Sequence, residues 1–110
     1  MLTRKDYCDY DTCVALYELG YDCHVIHLIA EKITLYEAQK WLREEWGIHI
    51  TVHYIYHLDE HVFGYTLRFM GKTLRDHGIL YNTTKYSTYE DTLLEGIKGA
   101  IKILKEKVND

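Results

Sequence analysis

From Thr34 to Met70 the chain runs from a capped helix directly into an alternating apolar pattern, which commits it to a helix followed by a β-hairpin. Thr34 and Glu37 have the T-x-x-E spacing of a capping box. In that device the threonine hydroxyl accepts from the third helical amide and the glutamate returns to the cap amide. Leu35, Ala38, Leu42 and Trp46 share one face of the helix, with Gln39 beside them and Tyr36 and Trp41 on opposite flanks. Gly47 supplies the left-handed residue that ends such a helix, and strict alternation begins at Ile48.

On the first strand Ile48, Ile50, Val52, Tyr54, Tyr56 and Leu58 share one face, and His49, Thr51, His53, Ile55 and His57 share the other. The second strand runs from about His61 to Met70, with Phe63, Tyr65, Leu67 and Phe69 alternating. A loop at Asp59-Glu60 sets Tyr56 against Phe63, Tyr54 against Tyr65, Val52 against Leu67 and Ile50 against Phe69. A loop of odd length sets Tyr54 against Thr66 and Val52 against Arg68 and destroys the apolar face. The sequence therefore predicts an even loop.

A first helix begins at Asp9 or Asp11 and ends near Leu19, with Gly20 after it. Tyr10, Cys13, Val14, Leu16 and Tyr17 fall on one face, and Ala15 and Leu19 on the opposite one. A helix so widely apolar needs cover on two sides, and a second subunit is the expected cover, hence a homodimer. Val25 to Ile29 reads equally as a short strand or an apolar connector. A third strand is expected over Gly78 to Thr83. The closing helix is expected to start at Ser87, three residues before Glu90, as a second capping box. Its stripe is Leu93, Ile97, Ala100, Ile101, Leu104 and Val108, with Gly96 at the edge for close approach to the sheet. The expected fold is α+β: one domain over residues 1–110, an N-terminal helix, then α-β-β-(β)-α with a small antiparallel sheet packed on helices.

With 110 residues, 47% of them apolar, the chain can bury a core without disulfide staples. The three cysteines form an odd set, and Met1 to Asp6 has no apolar signal region, so reduced thiols and a cytoplasmic location are expected. No apolar run approaches the roughly 18 residues of a membrane span. A formal net charge of −4 argues against nucleic acid and anionic membranes as partners. There is no proline, and the eleven tyrosines suit a half-wet rim or an interface.

Chemistry-bearing residues are few. His49, His53 and His57 share a strand face, but positions four apart on a strand are about 13 Å apart, too far to bind one zinc. Cys8, Cys13, Cys23, His24 and His27 contain enough sulfur and nitrogen ligands for a structural zinc, in a spacing that matches no zinc knuckle. Cysteines five apart on one helix also point in different directions. Gly71-Lys72-Thr73 resembles the end of a phosphate loop, yet position 66, where the pattern needs glycine, is Thr66. No catalytic signature is present, no cofactor is expected, and the chain reads as a non-enzyme. Tyr36, Trp41, His49, His53 and His57 are the candidate interaction surface. The α-β-β-β-α order is shared by double-stranded-RNA-binding modules, which makes a nucleic-acid-binding regulator one alternative and a small zinc-binding domain another.

Thr34 to Glu45 followed by Gly47-Ile48-His49-Ile50 resembles a family of short proteins from gut Bacteroidales genomes, prophages and phages. Tyr86 to Ile97 is similar to that family's closing "SYEEALEAGI" pattern, with Thr92 where the pattern has alanine. Glu18 to Asp22 is similar to its "KGFD" helix end. The resemblance spans most of the chain. It implies a small α+β protein of the phage or mobile-element type, and it brings no activity with it. The resulting expectation is an accessory protein that binds a protein partner.

Overall fold

The computed structural model describes residues 4–21, 33–57, 60–69, 79–86 and 88–108, and their side chains except at 4, 55–57, 60, 61, 79–86, 107 and 108. After one 3-10 turn at Arg4–Asp6, helix α1 spans Tyr10–Glu18. Of the two aspartates open for its start, Asp9 is the cap: Oδ1 accepts from the Thr12 amide at 2.8 Å. The helix closes with a Schellman pair, Gly20 N–H to Tyr17 O and Tyr21 N–H to Leu16 O, each at 3.0 Å. Gly20 stands at φ 107°, where a side chain would be strained.

Helix α2 spans Leu35–Trp46. Both arms of its capping box are present: Thr34 Oγ1 accepts from Glu37 N at 3.0 Å, and Glu37 Oε1 accepts from Thr34 N at 3.1 Å. Gly47 ends it at φ 69°, ψ 22°. Leu35, Ala38 and Leu42 are buried, while Trp46 is half-buried against the core. The segment before α2 is tied to the N-terminus, with Tyr7 bridging Thr34 and Cys8 N–H donating to Ile33 O at 2.9 Å.

Strands β1 (Ile48–His57), β2 (Glu60–Phe69) and β3 (Ile79–Tyr86) form an antiparallel sheet in the order β1-β2-β3. The hairpin parity is as expected, because pairing runs to His57↔Glu60 and leaves residues 58 and 59 between the strands. The individual pairs differ. Ile50 faces Leu67, Val52 faces Tyr65 and Tyr54 faces Phe63, a slip of two residues from the expected register. A slip of two leaves every side chain on its face, so alternation cannot distinguish the two registers. Strand β3 runs to Tyr86, beyond the expected Thr83. A bulge between Phe63 and Tyr65 shifts its pairing from Tyr65↔Asn82 to Phe63↔Tyr86.

Helix α3 spans Tyr89–Val108. Ser87 lies outside the described residues, and the capping bonds come from its neighbour. Thr88 Oγ1 accepts from Asp91 N at 3.1 Å, and Thr88 O accepts from the Thr92 hydroxyl at 2.7 Å. Leu93, Ile97, Ala100, Ile101 and Leu104 form its buried stripe. Helices α2 and α3 pack on the sheet face that carries Ile48, Ile50, Tyr65 and Leu67, and these residues share one core.

Helix α1 lies along α3, and this accounts for its second apolar side. Ala15 is buried, and it lines an α1–α3 groove together with Ile101. Two ion pairs span the helices, Asp9–Lys98 at 3.0 Å and Glu18–Lys105 at 3.3 Å. The expectation that another subunit must cover α1 is corrected there: the cover comes from the same chain. Residues 25–29, with their strand-or-connector alternative, and Gly71-Lys72-Thr73 lie outside the described residues.

Candidate functional site

Two surfaces stand out, on opposite faces of the sheet. The first is a ledge of tyrosines on the helix side. Phe63 on β2 meets Tyr54 on β1 edge to face, with centroids 5.6 Å apart. It also meets Tyr89, the first residue of α3, at 6.4 Å and 84°. The register creates this stack, because Tyr54 is directly opposite Phe63. Tyr54 is 57% exposed and Tyr89 41%, too wet for core residues and held in place by the half-buried ring between them.

Tyr36 adjoins the ledge from the first turn of α2. It is 42% exposed, and its hydroxyl donates to Asp6 Oδ1 at 2.9 Å. That bond to Asp6 raises the Tyr36 pKa above its usual range. Slight burial, the Asp6 charge and the nearby Glu90 and Tyr89 add to the shift. The phenol therefore stays neutral at physiological pH and offers a flat, amphipathic contact.

The second surface is the outer sheet face, where His49, Thr51, His53, Thr66 and Arg68 line a cavity of about 310 Å³. His49 is opposite Arg68 and Thr51 is opposite Thr66, so four of the five are cross-strand pairs. His53 reaches diagonally to place Nε2 2.6 Å from Thr66 Oγ1. Thr66 is buried at the base, whereas Thr51 and Arg68 are exposed. No carboxylate among the described residues lines this cavity.

The expected interaction residues divide between these surfaces. His49 and His53 come together on the outer face, and the side chain of His57 is outside the described set. Tyr36 belongs to the ledge. Trp41 is on a third surface, edge to face with Tyr21 at 5.4 Å, in a shallow hollow with Glu37, Lys40, Glu44 and Glu45. The expected pairing of Ile50 with Phe69 sets the three histidines against Met70, Thr66 and Val62, and the observed register corrects this: His49 faces Arg68, His53 faces Gly64 and His57 faces Glu60. Sequence reading missed Thr51, Thr66 and Arg68 on the outer face, and Tyr54, Phe63 and Tyr89 on the ledge, as site residues. Their signal was the cross-strand pairing, which alternation leaves open by two.

For the zinc alternative, Cys23, His24 and His27 lie outside the described residues. Among the described residues no group of three or more His, Cys, Asp or Glu converges as metal ligands. Cys8 precedes α1 instead of sitting on it, so the expected divergence of the two thiols is corrected. Both are buried, and Cys13 Sγ donates to Cys8 O at 3.8 Å. A side-chain hydrogen bond with Cys13, then burial, push the Cys8 thiol above its ordinary pKa. The start of α3 presents Glu90 and Asp91, a poor match to the phosphate grip of double-stranded-RNA-binding modules.

Among the described residues no helix is long and apolar enough to cross a membrane. The chain matches no protein-family model, no curated protein and no solved structure.

Proposed function

We propose that this chain is a cytoplasmic, non-enzymatic interaction protein of the phage or mobile-element type that docks protein through its tyrosine ledge. A second copy of the chain is the first occupant. The observation that carries this reading is the exposed stack Tyr54–Phe63–Tyr89 with Tyr36 beside it. Tyrosine is among the residues that dominate binding at protein interfaces, because its ring buries a large area with few rotamers to freeze. A two-fold interface repeats the same patch on both sides, and stacked rings with polar tips are compatible with that self-pairing. The likeness of Thr34 to Ile50 and Tyr86 to Ile97 to short Bacteroidales phage proteins supports the mobile-element setting.

The non-enzymatic part of the reading rests on the sequence, which carries no recognisable catalytic signature.

The test is sedimentation velocity on the full chain and on Tyr54→Ser, Tyr89→Ser and, as an off-ledge control, Glu44→Ser. The reading expects a dimer for the wild type and the control, and at least tenfold weaker association for both tyrosine variants. A monomeric wild type overturns the self-docking, as does a dimer indifferent to Tyr54 and Tyr89.

A further inference from the structure

The outer-face cavity is unexplained by docking at the ledge, because alternation puts it on the other side of β1. Tyr54 points toward the helices, while His49, Thr51 and His53 point away from them. The five described side chains that line it are two imidazoles, two hydroxyls and one guanidinium. Every one can donate a hydrogen bond, and the guanidinium can donate several in a fixed fork. With Arg68 as its one fixed charge and no carboxylate among the described residues, such a lining favours an anion.

Donor and acceptor roles in the His53–Thr66 contact follow the imidazole tautomer. If the imidazole donates through Nε2, the Thr66 hydroxyl has its own proton free to turn into the cavity from the buried floor. His49 and Arg68 then act from one end, Thr51 from the rim and Thr66 from beneath. Such a ring of donors exceeds what a planar carboxylate needs and suits the several acceptor oxygens of a tetrahedral anion. Arginine is over-represented where phosphate is recognised for this same geometric reason.

We infer that the cavity formed by His49, Thr51, His53, Thr66 and Arg68 on the outer sheet face binds an oxyanion of the phosphate class. At about 310 Å³ it holds a phosphate group with part of whatever bears it. Arg68 supplies the fixed charge, Thr51 and Thr66 supply neutral donors, and His53 is the positioning residue that orients Thr66. No bond is made or broken in this assignment.

Amide NMR on the full chain tests it, with inorganic phosphate, acetate and chloride titrated at constant ionic strength. The expected result is saturable shifts with phosphate alone, confined to residues 49–53 and 66–68. Arg68→Gln should weaken phosphate binding at least tenfold, Thr51→Val severalfold, and Lys102→Gln, on the far side of the molecule, not at all. His53→Gln separates positioning from structure: it should weaken phosphate while the unliganded spectrum away from the outer face stays in place. An adventitious ion only, seen as unsaturable shifts or equal response to chloride, overturns the site. Acetate binding as well as phosphate overturns the ligand class. Loss of phosphate binding leaves the dimer assay untouched, and a monomeric protein leaves the phosphate titration untouched, so the two proposals fail separately.

Discussion

At the scale of single residues, Asp9 shows how one carboxylate serves two elements. Oδ1 caps α1 through the Thr12 amide, and Oδ2 pairs with Lys98 of α3 at 3.0 Å. Partial burial pushes its pKa up, but the bonds from Thr12 and the Lys98 charge outweigh that, and the net direction is down. Lys98 is raised by the same pairing. The two roles separate by substitution. Asp9→Asn keeps a capping oxygen and loses the ion pair, which is half-exposed and worth under about 1 kcal/mol after solvent screening. Asp9→Ala loses both, and the cap alone is worth about 1 kcal/mol. Urea unfolding should therefore rank wild type, Asn and Ala in that order at pH 7. Because the folded carboxyl is the stronger acid, its contribution is present above the unfolded pKa of about 4 and is lost as pH falls. The gap between wild type and Asn should close in acid, and a gap that persists at low pH would remove the charge from the explanation.

At the scale of elements, the close approach of α3 to the sheet is set by Gly96. A Cβ there would stand 2.8 Å from Ile50 Cγ2 and 3.4 Å from the Tyr65 ring. Gly99 is looser, with Tyr65 Oη at 3.2 Å and Leu67 Cδ1 at 3.5 Å. Alanine at either position gains about 1 kcal/mol of helix propensity. At Gly96 the overlap falls on a methyl locked in the core, and overpacking of that kind costs about 1–3 kcal/mol. Gly96→Ala should thus lower the thermal midpoint, while Gly99→Ala, facing the tip of a ring, should come out near neutral. A Gly96→Ala protein more stable than wild type would mean that the helix does not sit this close.

The same elements show what the sequence made legible. The ends of α2 were readable because Thr34, Glu37 and Gly47 act on backbone groups within five residues of themselves. Hairpin parity was readable because an odd loop would bury Arg68 and Thr66 on the apolar face. The register was not, since a slip of two preserves every face, and the choice lies in contacts such as Tyr54 on Phe63 and His49 opposite Arg68. The candidate site inherits that blindness. Its histidines were visible, but Arg68 became the direct partner of His49 only through the register. The cap of α3 moved from Ser87 to Thr88 because adjacent hydroxyls fit the same pattern and only the backbone path distinguishes them.

At the scale of the whole molecule, a sheet with helices on one side gives the protein two unlike surfaces and a charge that the histidines control. The formal net charge is −4 with all seven histidines neutral, and positive with all of them charged. Zero therefore falls inside the histidine range, around pH 6. Near that point long-range repulsion between molecules vanishes, and nothing opposes weak association through exposed tyrosines. The second virial coefficient from static light scattering should pass through a minimum near pH 6 and recover on both sides, and added salt should shallow the recovery by screening. This bears directly on the dimer. A specific interface at Tyr54 and Tyr89 has fixed stoichiometry and persists at pH 8, where the molecules repel. Colloidal association has no fixed stoichiometry and disappears there. A mass that grows continuously toward pH 6 and returns to one chain at pH 8 would leave the ledge without a second copy to bind.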